Sequence, residues 1–143
     1  MAVRMNPYLV MDGNAKEAVA FYEKALDAKN MGVQTFGEMP GDPNHPMPEA
    51  AKDRVMHALL KVGETDLMFS DTFPGMPYPY QTGNNVNIAI VSDDADRSRR
   101  IFDALAEGGQ VTMPLQQTFW SPAYGQLTDK FGVVWQVTTE VKA

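Results

Sequence analysis

The chain has no cysteine. That excludes thiol nucleophiles, disulfides and thiolate metal sites, and it leaves the redox compartment open. Only two histidines are present, His45 and His57. A site that needs several imidazoles therefore cannot be assembled within one chain. Basic residues are also few: 12 Lys and Arg stand against 18 Asp and Glu, for a net charge of −6. Nucleic acid is bound by clustered Lys and Arg, so this balance argues against such a partner. The one dense basic group, Arg97, Arg99 and Arg100, is interleaved with Asp96 and Asp103 and reads as a solvated helix face. No apolar run approaches the length that crosses a bilayer, and residues 1–6 have no apolar stretch behind them of the kind a signal peptide carries. The expectation is a soluble, cytoplasmic protein without a membrane partner.

What is present is globular composition: 143 residues, 44% hydrophobic and 21% charged. That is enough for one domain, or for two small halves. Residues 6–11 read as a strand with Pro7, Leu9 and Met11 on one face and Tyr8 and Val10 on the other. Asp12, Gly13 and Asn14 turn the chain. Asn14 suits an N-cap, with Glu17 three residues on completing a capping box. A helix to about Leu26 follows, its apolar stripe made by Ala15, Ala18, Val19, Tyr22, Ala25 and Leu26. Residues 29–37 read as a strand. Residues 38–52 hold four prolines with Gly41, Asp42 and Asn44, and read as a loop that leaves His45 in solvent. Residues 53–62 form a strand with Met56, Ala58, Leu60 and Val62 opposite Val55, His57, Leu59 and Lys61. Gly63 and Glu64 turn it into a further strand over 65–71. Residues 72–84 are a second loop. Its Phe73, Tyr78 and Tyr80 either cover a neighbour or form a lid.

The pattern then starts again. Residues 86–91 read as a strand, Asp94 as an N-cap, and Ala95, Ser98, Phe102, Leu105 and Ala106 as a helix stripe closed by Gly108 and Gly109. Residues 110–113 are a short strand. Residues 117–138 form a hairpin around Asp129-Lys130-Phe131-Gly132, with Val133, Trp135 and Val137 on one face and Val134, Gln136 and Thr138 on the other. A shift of eighty residues pairs Pro7 with Asn87, Asn14 with Asp94 and Tyr22 with Phe102, so the chain reads as two β-α-β-β-β modules. Module 1 covers about 4–71, a linker 72–84, and module 2 about 85–140, within a single domain 1–143.

One helix covers one face of each sheet. The fold class expected is therefore α+β, with two curved mixed sheets enclosing a cup and the helices outside. Alternation assigns to the cup Pro7, Leu9 and Met11; His57 and Leu59; Asn85, Asn87, Ala89 and Val91; and Val134, Gln136 and Thr138. The strand over 65–71 contributes Ser70 or Asp71, according to a register that alternation alone does not fix.

The motifs Pro7-Tyr8-Leu9, Gly13-Asn14-Ala15, Ala20-Phe21-Tyr22, Phe36-Gly37-Glu38-Met39-Pro40, Met56-His57-Ala58, Thr118-Phe119-Trp120 and Thr128-Asp129-Lys130-Phe131-Gly132-Val133 occur in this order over nearly the whole chain. In them the chain resembles the vicinal-oxygen-chelate superfamily, which includes glyoxalase I, extradiol dioxygenases and the fosfomycin- and bleomycin-resistance proteins. The details resemble its PhnB-like branch. The resemblance implies a metal that polarises adjacent substrate oxygens. It places the ligand positions at Pro7, Asn87 and Gln136, with another near Ser70 or Asp71. Pro7 has no ligating side chain, and neutral amides are weak ligands for metals that favour imidazole and carboxylate. No metal ligand set and no cofactor are therefore expected. A divalent ion held by His57, Asp71 and Gln136 with water is the alternative. Relatives of this branch are often described as demethylubiquinone methyltransferases, but no Gly-rich turn suited to S-adenosylmethionine follows a strand here.

The candidate site residues are His57, as a proton donor or acceptor, and Ser70, Asp71, Asn87, Phe119, Trp120, Tyr124 and Gln136, as ligand contacts. The favoured reading is a homodimeric small-molecule-binding protein with a degenerate metal site. A lyase, isomerase or dioxygenase working from His57 and Gln136 is the second. A drug-sequestering resistance protein, whose acidic surface would suit a cationic ligand, is the third.

Overall fold

A computed structural model describes residues 2–41 and 43–141. Asp42, counted above among the turn-formers of the first loop, lies outside the described residues. The chain divides into two compact units, residues 1–80 and 81–143. Each unit is a four-stranded mixed sheet.

The first unit runs β1 (Tyr8–Met11), α1 (Ala15–Ala25), β2 (Lys29–Thr35), a 3-10 turn at Phe36–Glu38, the short α2 (Glu49–Lys52), β3 (Val55–Val62) and β4 (Thr65–Asp71). Its strand order is β1-β4-β3-β2, with β1 parallel to β4 and the remaining pairs antiparallel. The second unit runs β5 (Ile88–Ser92), α3 (Ala95–Ala106), β6 (Gln110–Gln116), β7 (Tyr124–Thr128) and β8 (Val134–Thr139), in the order β5-β8-β7-β6 with β5 parallel to β8. The two units thus share one topology, as the repeat predicted. Their α+β architecture is glyoxalase-like.

Packing of the helix fixes which face of each sheet is core. In the first unit Tyr22 of α1 stacks on Phe69 of β4 at 5.8 Å between ring centroids, and both are fully buried. Ala58 and Leu60 of β3 join them. Burying a side chain as large as Phe69 contributes about 2 kcal/mol. In the second unit Trp135 and Val137 of β8 and Leu127 of β7 face Ile101, Phe102 and Leu105 of α3. Here Ile101 takes a buried place that the predicted stripe gave to Ala95, which is exposed.

Three expectations need correction. Leu9 and Met11 do not lie on the face of His57. The parallel register places Leu9 beside Phe69 and Met11 beside Asp71, on the helix side. Pro7, just before β1, continues that parity. Tyr8 and Val10 take the opposite face, where the Tyr8 ring lies 6.0 Å from His57. Second, the Asn14 side chain makes no cap hydrogen bond. The start of α1 is held instead by Asp71, whose Oδ1 accepts from Gly13 N at 2.8 Å and Ala15 N at 3.0 Å. A charged acceptor from another strand outcompetes the local amide because it meets two orphan N–H groups at a helix start. Third, residues 38–52 are not all loop: α2 forms behind Pro48 and buries Ala51 completely. His45 in this segment is exposed, as expected. In the second unit Asp94 does cap α3, accepting from Asp96 N and Arg97 N, and Gly108 takes φ +75 beyond its end.

Candidate functional site

The open face of the second sheet is built by alternation. Trp135, Val137 and Thr139 of β8 point to the helix, so Val134, Gln136 and Thr138 point the other way. Register extends that face sideways from Gln136: Ala89 lies beside it on β5 and Gln126 beside it on β7, with Met113 of β6 beyond Gln126. Asn87, just before β5, shares the face.

A directed hydrogen-bond chain crosses it. Asn87 Nδ2 donates to the backbone carbonyl of Asn84 at 3.1 Å. A carbonyl can only accept, so this bond fixes the Asn87 amide and leaves its Oδ1 as an acceptor. Gln136 Nε2 fills it at 3.2 Å. Gln136 Oε1 then accepts from the Tyr124 hydroxyl at 2.7 Å, and the Tyr124 oxygen accepts from Gln126 Nε2 at 2.9 Å. One backbone carbonyl thus sets the polarity of four side chains. Gln126 was absent from the expected set, although it alternates with Tyr124 and Thr128 along β7 and could have been found by that spacing.

Next to this chain stands an aromatic wall. The Trp120 ring lies 5.3 Å from Tyr124 and 4.7 Å from Phe119, both edge-to-face. Phe119 is 97% exposed and Trp120 52%. The loop that carries them is tightly tied: Thr118 N donates to the Ser121 carbonyl at 2.9 Å, and Ser121 N to Thr118 Oγ1 at 3.1 Å. Ser121 Oγ is buried against Thr139, whose own hydroxyl donates to Ser98 Oγ at 2.7 Å.

In the first unit His57, half-buried, pairs in register with Gln34 and meets the Tyr8 ring. Ser70 shares this face by alternation. Asp71 does not. Besides the start of α1 it holds β3, its Oδ2 accepting from Val55 N at 2.8 Å, and it is buried. The structure therefore brings Asn87, Trp120, Tyr124 and Gln136 together in one unit, places His57 and Ser70 on the open face of the other, and gives Asp71 to the framework.

The first unit also contains a shallow cavity of about 250 Å³ lined by Asp12, Arg54, Thr72 and the loop that follows, including Tyr78 and Tyr80. Arg54 Nη1 donates to the Thr72 hydroxyl at 2.8 Å and to its carbonyl at 3.0 Å, and Thr72 Oγ1 donates to Asp12 at 2.6 Å. The Thr72 hydroxyl, and then Arg54, hold the Asp12 carboxyl below its usual range. Burial, and then the Asp12 charge, push the Tyr80 phenol up. The aromatics at 73–80 are thus organised around a polar cluster within their own unit.

The residues match a known family. A model of the Glyoxalase/Bleomycin resistance protein/Dioxygenase superfamily matches residues 4–137. The chain belongs to this superfamily. It is 33% identical to Protein YjdN of Escherichia coli (strain K12) over 142 residues, covering 93% of this chain and 92% of that one. The crystal structure of protein PA1353 from Pseudomonas aeruginosa superposes with a TM-score of 0.85 at 39% identity, covering 99% and 100% of the two chains. A PhnB protein from Bacillus cereus shares the fold, with a TM-score of 0.72 at 24% identity over 96% and 99%.

Superfamily members commonly use a divalent metal, but the residues here do not fit one. The resemblance places two ligand positions of the second unit at Asn87 and Gln136. Their neutral amide oxygens are weak ligands for metals that favour imidazole and carboxylate, each already shares its electrons with one hydrogen bond, and the amide nitrogens do not ligate. Among the described residues no three of His, Asp and Glu come together as a group that could hold a metal ion.

Proposed function

We propose that the protein is a metal-independent small-molecule-binding protein of the cytoplasm that works as a homodimer. The observation that carries the reading is the Gln126–Tyr124–Gln136–Asn87 chain. It occupies the family's ligand positions with neutral groups bonded to one another, beside aromatic rings left open to solvent. Neutral polar side chains held in a fixed geometry next to exposed aromatics are the makings of a ligand site. Superfamily members bind small ligands and commonly pair, which supports the dimer; light scattering on purified protein tests it. The lyase, isomerase or dioxygenase reading has less support, because Asp71 is turned to the helix side and committed to three backbone N–H groups.

Two measurements test the proposal. Metal analysis of purified protein, beside a chelator-treated control, should find no stoichiometric ion; tight Zn²⁺, Ni²⁺, Fe²⁺ or Mn²⁺ at one per chain defeats it. A thermal-shift ligand screen should yield hits whose shift shrinks in Gln136→Ala or Trp120→Ala. Hits indifferent to both substitutions would remove the site.

A further inference from the structure

We propose that the second unit's site takes a ligand that is uncharged at neutral pH, flat, and able to hydrogen-bond along one edge. This rests on reading that face as the ligand site and adds the class of ligand.

Charge is the first argument. The protein carries 30 Asp, Glu, Lys and Arg side chains (18 acidic, 12 basic). Yet none stands at the registered open-face positions of β5, β6, β7 and β8 around Gln136. A face meant for an ion would hold an opposite charge, since an unpaired charge brought against neutral groups loses its hydration without return. The acidic net charge of the chain is a long-range property screened within about 10 Å in ordinary salt, so it does not replace a local partner.

The second argument is what the chain leaves over. Asn87, Gln136 and Gln126 each donate through one of the two N–H bonds of their amide in the chain, so each keeps another. Gln126 Oε1 accepts from no described residue. The surplus is therefore three N–H donors, the Gln126 carbonyl and one further lone pair on each of the Asn87 and Gln136 carbonyls, all neutral. That complements an amide, lactam, quinone or similar edge rather than a carboxylate, phosphate or ammonium.

Shape is the third. Phe119 is almost fully exposed on a loop pinned by Thr118, Ser121 and Thr139. A rigid loop that holds Phe119 in water and leaves Trp120 half exposed forgoes burial that both rings would otherwise gain. A flat ring laid against Trp120 recovers part of it, and stacking geometry adds to the gain.

Three probes of nearly identical shape separate the classes: benzamide is neutral, benzoate negative and benzamidine positive. Binding is followed by amide chemical-shift changes and by tryptophan fluorescence on the wild-type protein, with Trp120→Ala, which leaves Trp135, as the control for the Trp120 signal; ligands of this size bind at about millimolar Kd. Benzamide should bind at least about tenfold more tightly than the other two, with Trp120→Ala and Gln136→Ala each lowering its affinity by about tenfold. Benzoate or benzamidine binding as well or better, and still weakened by those substitutions, overturns the ligand class but leaves the site. Binding unaffected by either substitution, or shifts from none of the three, overturns the site as well.

Discussion

The indole N–H of Trp135 donates to Asp129 Oδ2 at 2.8 Å, while Asp129 Oδ1 accepts from the backbone N–H groups of Phe131 and Val133. One buried carboxylate thus closes the β7–β8 turn and anchors the largest side chain of the second core. Asp129→Asn keeps the shape but points an amide N–H at one of these donors. Leaving a buried donor unpaired costs about 1–3 kcal/mol, so the variant should lose about that much in urea unfolding. A loss under about 0.5 kcal/mol, the low end for one hydrogen bond, would mean the carboxylate does not organise the turn.

Asp71 does the same for the first unit, across a sequence separation of 56 residues to Ala15. Asp71→Ala should cost about 2–4 kcal/mol, because it strands three N–H groups at once. Asn14→Ala, at the residue that local rules favour as the cap, should cost little. Reversed magnitudes in chemical denaturation would restore the capping box.

Gly108 and Gly109 are neighbours with different constraints. At Gly108, with φ +75, alanine meets only the Lys130 side chain and backbone strain, for about 1 kcal/mol. At Gly109 an added Cβ would overlap the Thr128 carbonyl oxygen and lie 2.8 Å from Asp129 Cα. Backbone cannot swing aside as a lysine does. Gly109→Ala should therefore be the more damaging, by a margin that melting temperatures will show.

Asp66 sits between two cations: its bonds to Lys61 and then Arg4 lower its pKa below 3.8. An acid with a depressed folded pKa adds stability above its unfolded pKa and loses it as pH falls through the folded value. The melting temperature of the wild type should therefore drop below about pH 4 more steeply than that of Asp66→Asn, since an unfolded Asp titrates near there. Salt should shrink the difference, because the pairs lie at the surface and are screened. Parallel acid limbs for the two proteins would show that the pairs contribute nothing.

These cases also show how far the sequence could be read. Strict alternation placed Trp135 and Gln136 on opposite faces correctly, because β8 is long and one face is fully buried. Alternation misplaced Leu9 and Met11. β1 is only four residues, and its facing is decided by pairing with Phe69, which stacks on Tyr22 from a distant helix. The α1 cap was misread for the same reason: Asp71 is remote in sequence, while Asn14 is adjacent. Within the site, Gln136 and Asn87 stood out as polar residues in apolar strands, but their orientation depends on a backbone carbonyl at Asn84 that no side-chain pattern encodes.

That carbonyl makes Gln136→Glu the most informative single change. The substitution would place an oxygen where Gln136 Nε2 now stands 3.2 Å from Asn87 Oδ1, so two acceptors would face each other. Asn87 cannot flip to help without losing Asn84, so either outcome costs one hydrogen bond, about 1 kcal/mol. Below about pH 4.3, the usual value for a glutamate side chain, a protonated carboxyl can donate again. The opposed acceptor raises the folded pKa of the introduced carboxyl, so this contribution is present at low pH and lost as pH rises through that value. The stability gap to wild type should therefore widen between about pH 4 and neutrality, the range above the carboxyl's unfolded value. Adding Mn²⁺ or Zn²⁺ at neutral pH should not close it, since Asn87, beside it, still offers no charged ligand. A rise in the Gln136→Glu melting temperature with metal, absent in wild type, would show instead that a single amide had disabled an otherwise intact metal site.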